Sequence, residues 1–161
     1  MVIILMGVSG SGKTTIGQLL AKDLGWRFYD GDDFHPHANI EKMKQGIPLG
    51  DDDRDKWLGA LQRQIQNINA KAKSAVIACS ALKQSYRDRL VLNQGLVRLV
   101  YLRGSYRLIG KRLQDRRNHF FDPKLLTNQF DTLEEPQDIV TVDVTREPVD
   151  IVSLIKCELR F

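Results

Sequence analysis

Gly7-Val8-Ser9-Gly10-Ser11-Gly12-Lys13-Thr14 fits the pattern G-x-x-x-x-G-K-[ST] at every specified position, and that constrains the fold more than any other stretch of the chain. The pattern has a physical meaning only between a strand and a helix. Val2 to Met6 supplies the first, a short apolar run of the kind a buried parallel strand shows. Ile16, Leu19, Leu20 and Leu24 recur at helical spacing on the other side, with Gly25 placed as a C-cap. Glycines let successive backbone N–H groups curl around a phosphate chain without Cβ clashes. Lys13 can set an ammonium on the β- and γ-phosphates, and the Thr14 hydroxyl can ligate Mg²⁺. The helix N-terminus turns its positive dipole end to the same anion. A bare Gly/Ser-rich turn needs none of these flanks. Residues Gly7 to Thr15 are therefore read as a nucleoside-triphosphate site.

The remaining chain alternates strands with helices. Trp26 to Tyr29 is a second strand that ends at Asp30-Gly31-Asp32-Asp33. His35 to Gln45 is helical, with Pro36 in its first turn and Gly46 closing it. Asp51 or Asp52 caps the next helix, which carries Trp57, Leu58, Leu61, Ile65 and Ile68 on one face. Ala75 to Cys79 is a third buried strand and Leu96 to Leu102 a fourth, separated by a helix from Lys83 to Leu92. Ser105 to Arg117 is a helix with Leu108, Ile109 and Leu113 inward, Ile139 to Val144 a last strand and Pro148 to Leu159 a last helix. Residues 118–137 show no clear period. This order predicts an α/β fold, a parallel sheet of the P-loop type with helices on both faces. Its ligands belong at the C-terminal ends of the strands, where the glycine-rich loop lies.

At 161 residues the chain makes one compact domain with a sizeable core. Its formal charge of +4 is mild and comes without a basic stripe interleaved with aromatics, which argues against a nucleic-acid partner. The N-terminal apolar run is too short for a signal peptide or a membrane span. Cys79 and Cys157 suit buried or idle thiols in a reducing compartment, and a cytoplasmic location follows.

Several residues at the ligand-bearing edge are candidates for chemistry. Asp30 and Asp32 lie just past the second strand, where one carboxylate can orient and deprotonate an attacking hydroxyl while another holds a Mg²⁺-bound water. The same four residues also suit a solvated turn. Asp51, Asp52, Asp53 and Asp55 look like a metal cluster, but helix capping and dipole complementarity account for most of them. Arg54, inside that run, is either a surface ion-pair residue or a guanidinium fork for a substrate carboxylate. Lys83 and Arg87 share a helical face after the third strand, either solvated or facing the site. Arg112 and Arg116 stand one turn apart and lead into residues 118–137, which is how a lid would bring charge to a transferring phosphoryl group. A surface loop is the plainer reading of that segment. His35, His37 and His119 are too scattered for zinc, and His35 is favoured because it abuts the aspartates.

Together these fragments resemble the gluconate kinase family of small P-loop kinases. The likeness runs through Gly7 to Thr15, Asp30-Gly31-Asp32 with His35-Pro36, Asn39-Ile40, Lys42-Met43, Gly46-Ile47-Pro48-Leu49, Asp53-Arg54 and Trp57-Leu58. It continues through Ala78-Cys79-Ser80-Ala81-Leu82-Lys83, Tyr86-Arg87, Arg112-Leu113, Arg116, His119-Phe120, Gln129-Phe130 and Thr132-Leu133-Glu134. The resemblance implies ATP- and Mg²⁺-dependent phosphorylation of D-gluconate at its 6-hydroxyl, in sugar-acid catabolism. It implies Asp32 as the base, Asp30 nearer the metal with Thr14, and Lys13 on the phosphates. Arg54, Lys83 and Arg87, with His35, then face gluconate, while Arg112 and Arg116 become nucleotide and lid arginines. Pairing into a homodimer is implied as well. The chain departs from the family pattern at Lys56, where a proline usually stands, at Phe121-Asp122-Pro123 in place of Met-Pro, and in a shorter segment after Pro136. Shikimate kinase shares the expected fold, yet Ser80-Ala81-Leu82 replaces that family's glycine triplet. A regulatory nucleotide-binding module would keep the cradle but need no carboxylate beside the γ-phosphate.

Overall fold

The structure is a computed structural model and describes residues 1–47, 49–92, 95–115 and 123–161. Five strands, β1 (Val2–Met6), β2 (Arg27–Asp30), β3 (Ala75–Ala78), β4 (Val97–Arg103) and β5 (Val140–Asp143), form one sheet in the order β2-β3-β1-β4-β5. All four pairings are parallel. Between them run α1 (Lys13–Leu24), α2 (His37–Lys44), α3 (Asp51–Ala70), α4 (Gln84–Leu90), α5 (Tyr106–Gln114), α6 (Pro123–Thr132) and α7 (Pro148–Leu159).

A central parallel strand buries both its faces, and β1 does so by alternation. Ile3 and Leu5 join the core under α1, α5 and α7, against Ile16, Leu20, Ile109, Ile151 and Ile155. Val2, Ile4 and Met6 join the opposite core, against Trp57, Leu58, Leu61, Ile65 and Ile68 of α3 and Tyr86 and Leu90 of α4. The five apolar residues of α3 are the ones expected from the spacing, and their burial is worth about 1.5–3 kcal/mol each. Leu19 of α1 is 37% exposed, on the flank of a stripe formed by Ile16, Gly17, Leu20 and Ala21.

Two local expectations need correcting. The helix α3 is capped by Gly50, not by Asp51 or Asp52. The carboxylate that closes its end is Asp53, which accepts the Gly50 N–H at 3.1 Å. Residues 123–132, read as part of an aperiodic lid, form α6, which buries Leu126 in the core. The helix escaped the sequence reading because it is short and buries one residue fully.

Because β1 lies between β3 and β4, chain connections diverge to opposite sides of it, opening a crevice at its C-terminal end. The phosphate loop leaves β1 there, and Gly7 N–H donates to Ser80 O at 3.3 Å, tying the loop to the end of β3.

Candidate active site

Gly12 is the N-cap of α1 with φ 92°, a left-handed conformation that suits glycine, and offers no side chain to cap the helix. The dipole end of α1 is thus open to an anion. The Lys13 ammonium curls over the loop, donating to Gly7 O at 3.0 Å and Val8 O at 2.9 Å. Ser11 is wholly buried, and its hydroxyl has no partner among the described residues.

The end of β2 meets this loop directly. Thr14 Oγ1 donates to Asp30 Oδ2 at 3.0 Å, while Asp30 Oδ1 accepts the Asp32 N–H at 3.1 Å and caps the 3₁₀ turn Gly31–Phe34. That turn lies hard against β3: a Cβ on Gly31 would stand 2.5 Å from Ala78 O. The Asp32 side chain is 80% exposed, beside His35. Although the side chain reaches solvent, the protein packed around it and the Asp30 carboxylate push its carboxyl above the ordinary carboxylate range, with Lys13 opposing.

His35 follows. Its side chain is 5% exposed and stacks on Trp57, with ring centroids 4.6 Å apart and planes 7° apart. Trp57 is held in turn by its Nε1–H, which donates to Gly31 O at 2.7 Å. Burial, then the charge of Arg54, lowers the imidazole pKa to about 4, so His35 is neutral at physiological pH. Its Nε2 stands 3.9 Å from Asp32 Oδ1.

The three basic candidates part company. Arg54 donates from Nε to Leu49 O at 3.3 Å and lies over the Tyr86 ring at 5.8 Å. Lys83 is engaged by Asp51, at 2.8 and 3.1 Å, and Tyr86 O–H donates to the same carboxylate. It is thus half of an ion pair. Arg87 is turned inward, which corrects its reading as a substrate contact. Only 2% exposed, it donates from Nη1 to Ala81 O and Leu82 O and from Nε and Nη2 to Gln84 Oε1. The acidic run resolves likewise: Asp51 pairs with Lys83, Asp53 with Lys42 and Asp55 with Arg89. No group of three metal-ligating side chains occurs among the described residues.

On the other side of the loop, Gln129 of α6 accepts the Ser9 N–H at 2.6 Å, and Glu134 accepts the Gln84 N–H at 2.6 Å. Arg112 donates to Val144 O at 2.6 Å beside the end of β5. Arg116 and His119 lie outside the described residues. Asn39 and Gln129 went unnoticed as site residues. Asn39 lies in the first turn of α2 while His35 precedes its Pro36 N-cap in extended conformation, so helical spacing does not pair them, and nothing local to Gln129 points to Ser9. Clefts of about 540 and 620 Å³ lie beside β2 and α3 and beside α4 and β5, away from these side chains.

The family model for shikimate kinase matches residues 9–142. A probable gluconokinase of Xenopus tropicalis is 43% identical over 99% of this chain and 93% of its own length. The thermosensitive gluconokinase of Escherichia coli is 45% identical over 92% of this chain and 81% of its own. The crystal structure of a gluconokinase from Sinorhizobium meliloti superimposes with a TM-score of 0.89 at 41% identity, covering 98% of this chain and 90% of that one. The chain belongs to the gluconokinase family, kinases built on the P-loop fold that the shikimate kinase model describes.

Proposed function

We propose that the protein transfers the γ-phosphoryl group of ATP to the 6-hydroxyl of D-gluconate, giving 6-phospho-D-gluconate and ADP. The observation that carries this reading is the 3.0 Å bond from Thr14 to Asp30, which brings the carboxylate-bearing end of β2 against the phosphate loop. Names of relatives supply the substrate; this contact supplies a place where an alcohol and a triphosphate can meet.

In this reading Gly7 to Thr15 bind the triphosphate, with Lys13 on its terminal oxygens and Arg112 on the nucleotide side. The raised carboxyl of Asp32 suits a base that takes the hydroxyl proton as the new O–P bond forms and the bond to the β-phosphate oxygen breaks. Arg116 completes the charge around the transferring group. Arg54 is the cation for the gluconate carboxylate, since Lys83 is paired and Arg87 is buried. A hydroxyl and a carboxylate are the hard oxygen donors Mg²⁺ takes beside phosphates and water, so Thr14 and Asp30 fit that ion. When bound, Mg²⁺ neutralises charge on the phosphate oxygens. Free thiols at Cys79 and Cys157 accord with work in the cytoplasm. The homodimer rests on family likeness.

Coupled ADP release with gluconate, shikimate, glycerate and AMP offered in parallel tests the substrate. Gluconate should turn over, and Arg54→Ala should raise its KM about tenfold or more, a lost charged contact of roughly 1.5–3 kcal/mol, while KM for ATP stays put. Turnover of shikimate or AMP in preference to gluconate refutes the reading.

A further inference from the structure

Asn39 is 3% exposed, and its amide does two things at once. Nδ2 lies 2.7 Å from Asp53 O and 3.3 Å from His35 Nδ1. A backbone carbonyl only accepts, so the shorter contact fixes which end of the amide is the NH₂. The second proton of that NH₂ then points at His35 Nδ1, which must accept it. A neutral imidazole that accepts at Nδ1 carries its own proton on Nε2. The ring cannot trade its nitrogens easily, because it lies flat on Trp57 with Trp57 anchored to Gly31 O.

We propose that Asn39 is a positioning residue that holds His35 as its Nε2–H tautomer, so that His35 and Asp32 together select an alcohol. Their facing atoms, 3.9 Å apart, are too distant for a direct hydrogen bond. One hydroxyl oxygen between them accepts from His35 Nε2–H and gives its proton to Asp32. Only a group that both donates and accepts satisfies the two sides; a carboxylate or an ether oxygen does not. That this hydroxyl belongs to gluconate rests on the function proposed above.

Nitrogen-15 NMR of the histidine-labelled full chain reads the tautomer without turnover. The three histidines give few signals, and His35→Gln identifies those of His35. At neutral pH, His35 Nδ1 should resonate as an unprotonated nitrogen and Nε2 as a protonated one. Asn39→Ala should mix the tautomers and lower kcat/KM for gluconate about fivefold, the worth of one amide hydrogen bond, with KM for ATP unchanged. His35→Gln, whose amide N–H reaches the Nε2 position, should retain more gluconate turnover than His35→Asn, and this comparison stands even if Asn39→Ala fails to fold. A protonated Nδ1 in the unaltered protein, or His35→Asn matching His35→Gln, overturns the proposal. Failure to phosphorylate gluconate with the Nε2–H tautomer intact overturns the assigned substrate and upholds the tautomer lock.

Discussion

Replacing Arg87 by Ala separates a scaffolding arginine from a substrate-binding one. Ala81 sits in the left-handed region at φ 42°, and the turn it makes directs the Ala81 and Leu82 carbonyls inward, where both residues are almost fully buried. Arg87 Nη1 satisfies Ala81 O at 3.1 Å and Leu82 O at 2.9 Å. The second carbonyl keeps a partner after the change, since Glu134 N–H also donates to it at 3.0 Å. One buried carbonyl is therefore orphaned outright, at about 1–3 kcal/mol. Loss of the shared donor on Leu82 O and of the packed stem brings the total to roughly 3 kcal/mol. For a domain of this size that is a fall in Tm of about 6–12 °C. Arg87→Lys should recover part of it, since an ammonium reaches one carbonyl but not the fork. Thermal melts followed by circular dichroism, with KM measured at a temperature where the variant is folded, check both halves. An unchanged Tm with KM for gluconate raised tenfold and KM for ATP unmoved would return Arg87 to the substrate site and refute the reasoning.

Two further expectations concern the crevice. Asp32→Asn should cut turnover about a hundredfold or more while ATP still binds by titration calorimetry. Its carboxyl is raised in the folded chain, so the acidic limb of the gluconate kcat/KM profile should lie above the ordinary carboxylate range. By linkage, a raised carboxyl disfavours the folded state above its folded pKa and ceases to do so below its unfolded one. Urea melts of Asp32→Asn at neutral pH should thus show stability equal to or above that of the parent; a clear loss contradicts the raised carboxyl. Gln129→Glu keeps an acceptor for the Ser9 N–H but adds a negative charge beside the triphosphate, so KM for ATP should rise, about threefold or more, further than with Gln129→Ala. Equal effects would remove charge from the account.

What could be read from the chain follows from how local its cause is. The run Val2 to Met6, the inward row of α3 and the helix opened by Pro148 depend on spacing within a few residues, and each appears as expected. The phosphate loop is of the same kind: a strand, a turn and a helix that are consecutive in sequence. The Asp30–Thr14 contact needed one further inference, that β2 ends at the same edge as β1, and the alternation of strands with helices supplied it. The start of α3 went astray because three consecutive aspartates offer equivalent capping groups, and only the path of the chain from Gly50 decides among them.

Arg54 and Arg87 show where such reading stops. Each is an arginine on or beside a helix at the ligand-bearing edge, and a residue count distinguishes neither. Their fates separate because of a backbone feature: the turn at Ala81 aims carbonyls into the protein, and unmet buried carbonyls require a donor. Arg87 is the cation within reach and turns inward. In α3, Asp53 O also accepts from the Asn39 amide, and in the arrangement proposed above the amide so fixed sets the tautomer of His35. In both cases a main-chain acceptor chooses the role of a side chain. In the function proposed above, Arg54 is the substrate cation by physical selection and not by rank of charge: it is the one of the three with neither a carboxylate partner among the described residues nor a burial that closes it off.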